Sequence, residues 1–298
     1  MQGLGRATKL RPITKEEPMS SIPASRPAPI IPAARRLYAP LEPYAYTLIR
    51  AATGAMFIPH GVQKLFLGGA HTVGSFGLGV LELAGGLLVV LGMLVRPVAL
   101  LLILDVLMII AANIGKGWLW TRGGVQYHSF LLGMCLALLI GGSGRHVAGY
   151  WPKLGFESAW KSLNELLVPI AYAFARVWFA LLILPSGYEK VFENGAARIA
   201  AGNIVKTGFY PPVFWAWVVA LLEFVGMILL ALGLGTRVVA FMMAVELGVI
   251  VVTIQAPNGY YWTSRGAEFA LVLFLVCSAF VIGGGGRYSL DRKLGREF

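Results

Sequence analysis

Leu81-Glu82-x-x-Gly85-x6-Gly92-x3-Arg96 returns 141 residues later as Leu222-Glu223-x-x-Gly226-x6-Gly233-x3-Arg237, and this pair decides the fold. Each copy lies in an apolar run, where hydrophobicity accounts for the leucine but not for the placing of a glutamate, an arginine and two glycines. The same register sets Asp105 against Glu246. Upstream, Arg50-x8-Pro59-x-Gly61-x-x-Lys64-x-Phe66 matches Arg176-x8-Pro185-x-Gly187-x-x-Lys190-x-Phe192 at an offset of 126. Downstream, Trp120-Thr121-x-x-Gly124-x-Gln126 matches Trp262-Thr263-x-x-Gly266-x-Glu268 at 142, which also pairs Cys135 with Cys277 and Gly142-x-Gly144-Arg145 with Gly284-x-Gly286-Arg287. So many shared polar and glycine positions mark a duplicated unit.

The chain around these repeats has 298 residues, 57% of them hydrophobic and 13% charged, too apolar for one soluble core. Apolar runs fall at roughly 44–66, 74–94, 97–115, 123–142, 168–192, 213–234, 237–256 and 266–284, each about the length of a bilayer span. The expected fold class is an all-α membrane protein with eight transmembrane helices, arranged as two four-helix bundles. A net charge of +11 would suggest nucleic acid for a soluble protein, but most basic residues here flank the runs, so the partner is the lipid bilayer. Two cysteines, both inside apolar runs, exclude a disulfide scaffold or structural zinc, and four histidines exclude a multi-haem protein.

The expected domains are a Pro-rich, basic, disordered cytoplasmic tail at 1–43, a first unit at 44–150, an inner connection at 151–167, a second unit at 168–291 and a C-terminal tail at 292–298. No run in residues 1–43 is long enough for a signal-peptide core. With both termini inside, eighteen Lys or Arg lie on the inner side and seven on the outer, so the charges favour N-in and C-in. A unit with an even number of helices enters twice from the same side, which makes the repeats parallel and excludes the inverted-repeat plan. The change of offset from 126 to 141 gives the second unit fifteen extra residues, about Asn194 to Pro212, expected as a short interfacial helix.

Five acidic residues, Glu82, Asp105, Glu223, Glu246 and Glu268, lie inside the hydrophobic runs, where an unpaired carboxylate costs at least ~2.5 kcal/mol. Lys64 and Lys190 near the outer ends of the first and fifth helices, with Gln126 and Glu268 at the fourth and eighth, are expected to converge on them in one pocket per unit. Glu223, Glu246, Lys190 and Glu268 are therefore the candidate catalytic set, for proton transfer or for polarising an anion or a quinone. Lys64, Glu82, Asp105 and Gln126 are the first-unit equivalents. Three carboxyls against Lys190 require at least one to hold a proton. The bland alternative is ion pairing that locks the helices together. His60 and His128, at similar depth, are weaker candidates for a quinone carbonyl or a haem, against a default of satisfied polar histidines. No metal site is expected. Arg96, Arg237, Arg145 and Arg287 are read as headgroup anchors, and Gly85, Gly92, Gly226 and Gly233 as points of close helix approach.

These motifs resemble the DoxX family: Gly-x-x-Lys-x-Phe ending a first helix, Glu-x-x-Gly-x6-Gly-x3-Arg over the second, a Trp- and Gly-rich entry to the fourth, and the closing Gly284 to Asp291. The resemblance spans about residues 44 to 291 and is closer in the second unit. It implies four-helix membrane units, some associated with quinone-linked oxidation of sulfur compounds, notably the membrane subunit of thiosulfate:quinone oxidoreductase. A quinone as electron acceptor, a redox partner subunit and a small anionic or quinone ligand follow from the same resemblance, in the cytoplasmic membrane. The alternatives are a small-solute or proton-coupled transporter, and a scaffold without catalysis.

Overall fold

The computed structural model describes residues 28–29, 32–68, 72–146 and 157–297. Eight helices carry the two repeats: α1 Ala45–Phe66, α2 Val73–Leu91, α3 Val95–Asn113 and α4 Gln126–Gly141 in the first, and α5 Glu157–Tyr188, α6 Pro212–Leu232, α7 Thr236–Asn258 and α8 Glu268–Gly283 in the second. Five of them, α2, α3, α5, α6 and α7, are long and apolar enough to cross a membrane. α4 and α8 are apolar but shorter, and α1 carries Arg50, His60 and Lys64. A two-residue parallel pairing of Ala28–Pro29 with Arg296–Glu297 is the extended structure among the described residues.

The one-residue change of repeat offset, from 141 at Asp105 and Glu246 to 142 at Trp120 and Trp262, has a visible cause. α7 contains a π-helical turn over Ile250–Gln255, whereas α3 runs as regular helix to Asn113. A turn closed by i to i+5 hydrogen bonds holds one residue more than an α-turn, so the insertion is absorbed inside the helix.

The repeats are not the two self-contained bundles that the sequence suggests. α1 packs along α2 and α3 on α4, but α4 then packs against α5 of the second repeat and α8 against α1 of the first. One apolar core therefore runs through both repeats. At its centre Phe130 of α4, Phe179 of α5 and Phe280 of α8 are fully buried, with edge-to-face ring contacts at 6.1 Å and 5.8 Å.

Two ends of the bundle differ in charge chemistry. At the arginine end, Arg50 of α1 donates to the carbonyls of Ser143, His146 and Val90, and Arg176 of α5 donates to those of Gly285, Tyr288 and Ala231. Gly92 and Gly233 end α2 and α6 in the left-handed conformation, at φ 80° and 72°. A Cβ at Gly92 would lie 2.6 Å from the Arg50 guanidinium, so glycine serves the turn and the arginine together. Arg96 donates to Leu139 and Ile140, and Arg237 to Val281 and Ile282, capping the last carbonyls of α4 and α8. Arg96 and Arg237 are thus interior caps, not the headgroup anchors expected from sequence. Arg176→Met strips a buried cation from carbonyls on two segments, and we expect a loss of about 3 kcal/mol, read as a lower detergent unfolding temperature.

The tail and the inner connection also differ from expectation. Pro32–Tyr38 is helical, the Arg237 guanidinium sits 3.5 Å from the Tyr38 ring centroid, and Glu42 lies 3.7 Å from Arg237. The expected disordered tail therefore does not reach residue 43; residues 1–27 lie outside the described residues. Of the connection at 151–167, residues 157 onward are the first turns of α5, and the remainder lies outside the described residues. The extra segment of the second repeat is helical through Gly195–Ile199, Ala200–Ile204 and Val205–Thr207, and it buries Ala200 and Ile204 against Ala216 of α6.

Candidate functional site

Lys64 pairs with Glu82, and Lys190 with Glu223. In both repeats the lysine ends helix 1 a quarter exposed, while the carboxylate it meets on helix 2 is buried. Helix 3 supplies the third member: Asp105 faces Glu82 and Glu246 faces Glu223. Among the described residues, both carboxylate oxygens of Asp105 and of Glu246 are buried without a donor, as are Glu82 Oε2 and Glu223 Oε2. Two carboxylates in contact are acceptors only, so such a pair forms a hydrogen bond only when one member carries a proton. By formal charge, one ammonium beside two carboxyls balances when the two carboxyls together carry one proton.

The triads differ in backbone. Lys190 and Glu223 lie in π-helical turns, Glu189–Asn194 and Leu222–Gly226, whereas Glu82 sits in a continuous α-helix. Close approach of helices 1 and 2 is set by Gly61 against the backbone of Leu83 and by Gly187 against that of Glu223 and Phe224. Gly54 and Gly86 make a second backbone contact. The glycines singled out from sequence for close helix contact do less of it: a Cβ at Gly85 or Gly226 would meet side chains of the next helix, Val98 at 3.1 Å and Val239 at 3.3 Å, rather than backbone, and Gly92 and Gly233 accommodate arginine. Cys135 and Cys277 are both free and buried, each within electrostatic reach of its own repeat's helix-3 carboxyl.

Gln126 and Glu268 do not join the triads of their own repeats. Because helix 4 packs on the other repeat's helix 1, each faces across. Glu268 is fully buried at the start of α8, and its Oε1 accepts from His60 Nε2 of α1 at 2.5 Å and from the Tyr127 hydroxyl of α4 at 2.5 Å. Its Oε2 accepts from the Trp262 amide at 2.9 Å. The pseudo-symmetric place has Gln126, which donates to Ser186 Oγ and to the Leu182 carbonyl, both at 3.3 Å, and accepts from the Trp120 amide at 3.5 Å. The repeat offsets pair His60 with Ser186, Glu268 with Gln126 and Tyr127 with Phe269. One interface is therefore ionisable and the other is neutral.

Aromatic rings wall the ionisable interface. Tyr261 meets the His60 ring edge-on at 5.6 Å and donates to the Pro59 carbonyl at 3.3 Å. Buried His128 lies 4.7 Å from the Trp262 ring, edge to face, and its Nδ1 has no hydrogen-bond partner among the described residues. In the loop before α8, burial pushes the Tyr260 hydroxyl well above the usual phenol range, with the Glu268 charge adding to the effect. Tyr127 and the Trp262 amide were not legible as site groups. Tyr127 stands between Gln126 and His128 but answers to a phenylalanine in the other repeat, so the repeat register does not mark it, and a backbone amide leaves no residue-type signal. Among the described residues no cluster of three His, Cys, Asp or Glu side chains suits a metal ion.

An all-helical, multi-pass membrane protein with buried Lys–Glu–carboxyl triads is the class that fold and site define. Comparison with known proteins gives the family: the DoxX model matches residues 45–115 and again 171–256, more than half of the chain. This chain belongs to the DoxX family, with its unit duplicated. The matched segments begin at the start of α1 and within α5, take in both triads and stop short of α4 and α8. It is also similar to an uncharacterized protein of Haemophilus influenzae, 31% identical over 128 residues, which is 42% of this chain and 91% of that relative. That relative is thus little longer than one repeat. No solved structure matches the chain.

Proposed function

We propose that this chain is the membrane subunit of a quinone-linked oxidoreductase, an eight-span, N-in and C-in protein of the cytoplasmic membrane that handles protons for quinone reduction. The observation that carries the reading is the pair of buried carboxyl couples, Glu82 with Asp105 and Glu223 with Glu246, each held beside one lysine. A quinone accepts two electrons and two protons to become a quinol, and a partner subunit is the source of the electrons. The residues present fit such a substrate. Tyr261 and Trp262 give flat walls at the ionisable interface, and the buried His128 Nδ1 lacks a partner. His60, Tyr127 and His128 would hold and orient the ring carbonyls. Lys64 and Lys190 favour anionic oxygens, and the carboxyl couples store and return protons. DoxX membership supports this reading by analogy.

The test is thiosulfate-dependent quinone reduction in membranes with and without the chain, repeated with Glu82→Gln plus Asp105→Asn and with Glu223→Gln plus Glu246→Gln at matched protein levels. We expect at least one couple's removal to lower turnover about a hundredfold, the scale of a positioned acid–base group. Unchanged turnover in both variants overturns the proposal. Solute flux through reconstituted protein without an electron donor would put a proton-coupled transporter in its place.

A further inference from the structure

We infer that His60, Glu268 and Tyr127 form a proton-exchange port for the first repeat's carboxyl couple, and that the second repeat's couple has no such port. The argument rests on comparing two places the fold makes equivalent. On α1, His60 and Lys64 are four residues apart and so share one face, one turn from each other. Lys64 holds the Glu82–Asp105 couple, and His60 holds Glu268. At the end of α5 and in the π-turn that continues it, the same two positions are Ser186 and Lys190. Lys190 holds the Glu223–Glu246 couple, but Ser186 holds only the amide of Gln126.

A serine, a glutamine and a phenylalanine cannot gain or lose a proton near neutral pH, whereas an imidazole bonded to a carboxylate can. His60 is also 19% exposed, which opens the first interface at its edge. The groups facing Glu268 are His60 of α1, Tyr127 and His128 of α4, and Tyr260 with the Trp262 amide of the preceding loop. Those facing Asp105 are Glu82 of α2, Lys64 and His60 of α1, and Cys135 of α4. Because His60 and Lys64 are one turn apart on α1, the port lies beside the lysine that holds the couple. Only a proton moves: one leaves the Glu82–Asp105 couple for each that the port passes on, and no oxidant or reductant takes part. The inference deepens the proposed function by assigning its proton traffic to the first repeat, although the sequence resemblance is closer in the second.

The pseudo-symmetry supplies a gentle test. His60→Ser, Tyr127→Phe and Glu268→Gln together turn the ionisable interface into the chemistry that the other interface already carries in the same fold. The measurement is infrared spectroscopy of the purified resting chain in lipid nanodiscs, following the protonated-carboxyl band after transfer to heavy water. Glu82→Gln with Asp105→Asn, and Glu246→Gln, assign the band of each couple. In the wild type the first couple should exchange quickly and the second slowly. The triple variant should slow the first couple about a hundredfold. Conversely, Ser186→His, Phe269→Tyr and Gln126→Glu should quicken the second. Equal rates for the two couples in the wild type, or an unchanged first couple in the triple variant, overturn the port. No quinone is present, so failure here is separate from failure of the oxidoreductase reading.

Discussion

Gly61→Val and Gly187→Val are each expected to cost about 3 kcal/mol or more, enough to leave little folded protein after detergent extraction. A Cβ at Gly61 would come within 2.7 Å of Leu83 Cα, and one at Gly187 within 2.5 Å of Phe224 N. Those neighbours are backbone atoms of a helix, so relief comes only by moving α2 from α1 or α6 from α5. In lipid no hydrophobic force draws helices back together, and close backbone packing is what holds them. The damage reaches the chemistry, because Lys64 and Lys190 lie three residues beyond these glycines and meet carboxylates on the displaced helices. Gly77→Val on the exposed part of α2, where nothing lies within 4 Å, is the control and should extract and unfold like the wild type. Equal behaviour of all three variants in size-exclusion profile and thermal unfolding would refute the contact.

Why some of this was legible follows from the kind of signal each residue leaves. A lysine or glutamate in an apolar run is conspicuous because its burial demands a partner, so both triads could be assembled from the repeat register alone. Helix 4 was assigned to the wrong neighbours for a related reason. Gln126 and Glu268 show that they need partners, but sequence does not say which repeat supplies them, and the crossing of α4 to α5 and of α8 to α1 is a property of the packed core. Arg96 and Arg237 begin their helices at positions where headgroup anchoring is the ordinary role, and only the structure shows the carbonyls they cap. The extra residue of the second repeat lay within reach, since the offset changes by one between Asp105 and Trp120. That interval also spans the loop after the helix, and only the structure puts the insertion in a π-turn of α7.

The sharpest contrast is expected at Glu268, where two substitutions of similar size should part company. Glu268→Leu leaves the His60 imidazole, the Tyr127 hydroxyl and the Trp262 amide without the fully buried acceptor they share. Stranding buried donors costs about 1–3 kcal/mol each, so the variant should unfold well below the wild type in a detergent melt or fail to accumulate. Glu268→Gln keeps an oxygen for the Trp262 amide, and the fold already holds a glutamine in the equivalent place, where Gln126 accepts from the Trp120 amide. Its melting temperature should stay near that of the wild type. If both variants melt together at low temperature, the negative charge itself holds the interface, and the His60–Glu268 contact is an ion pair that locks α8 to α1. If Glu268→Gln is stable while the first couple's proton exchange slows, the carboxylate is kept for proton transfer rather than for the fold.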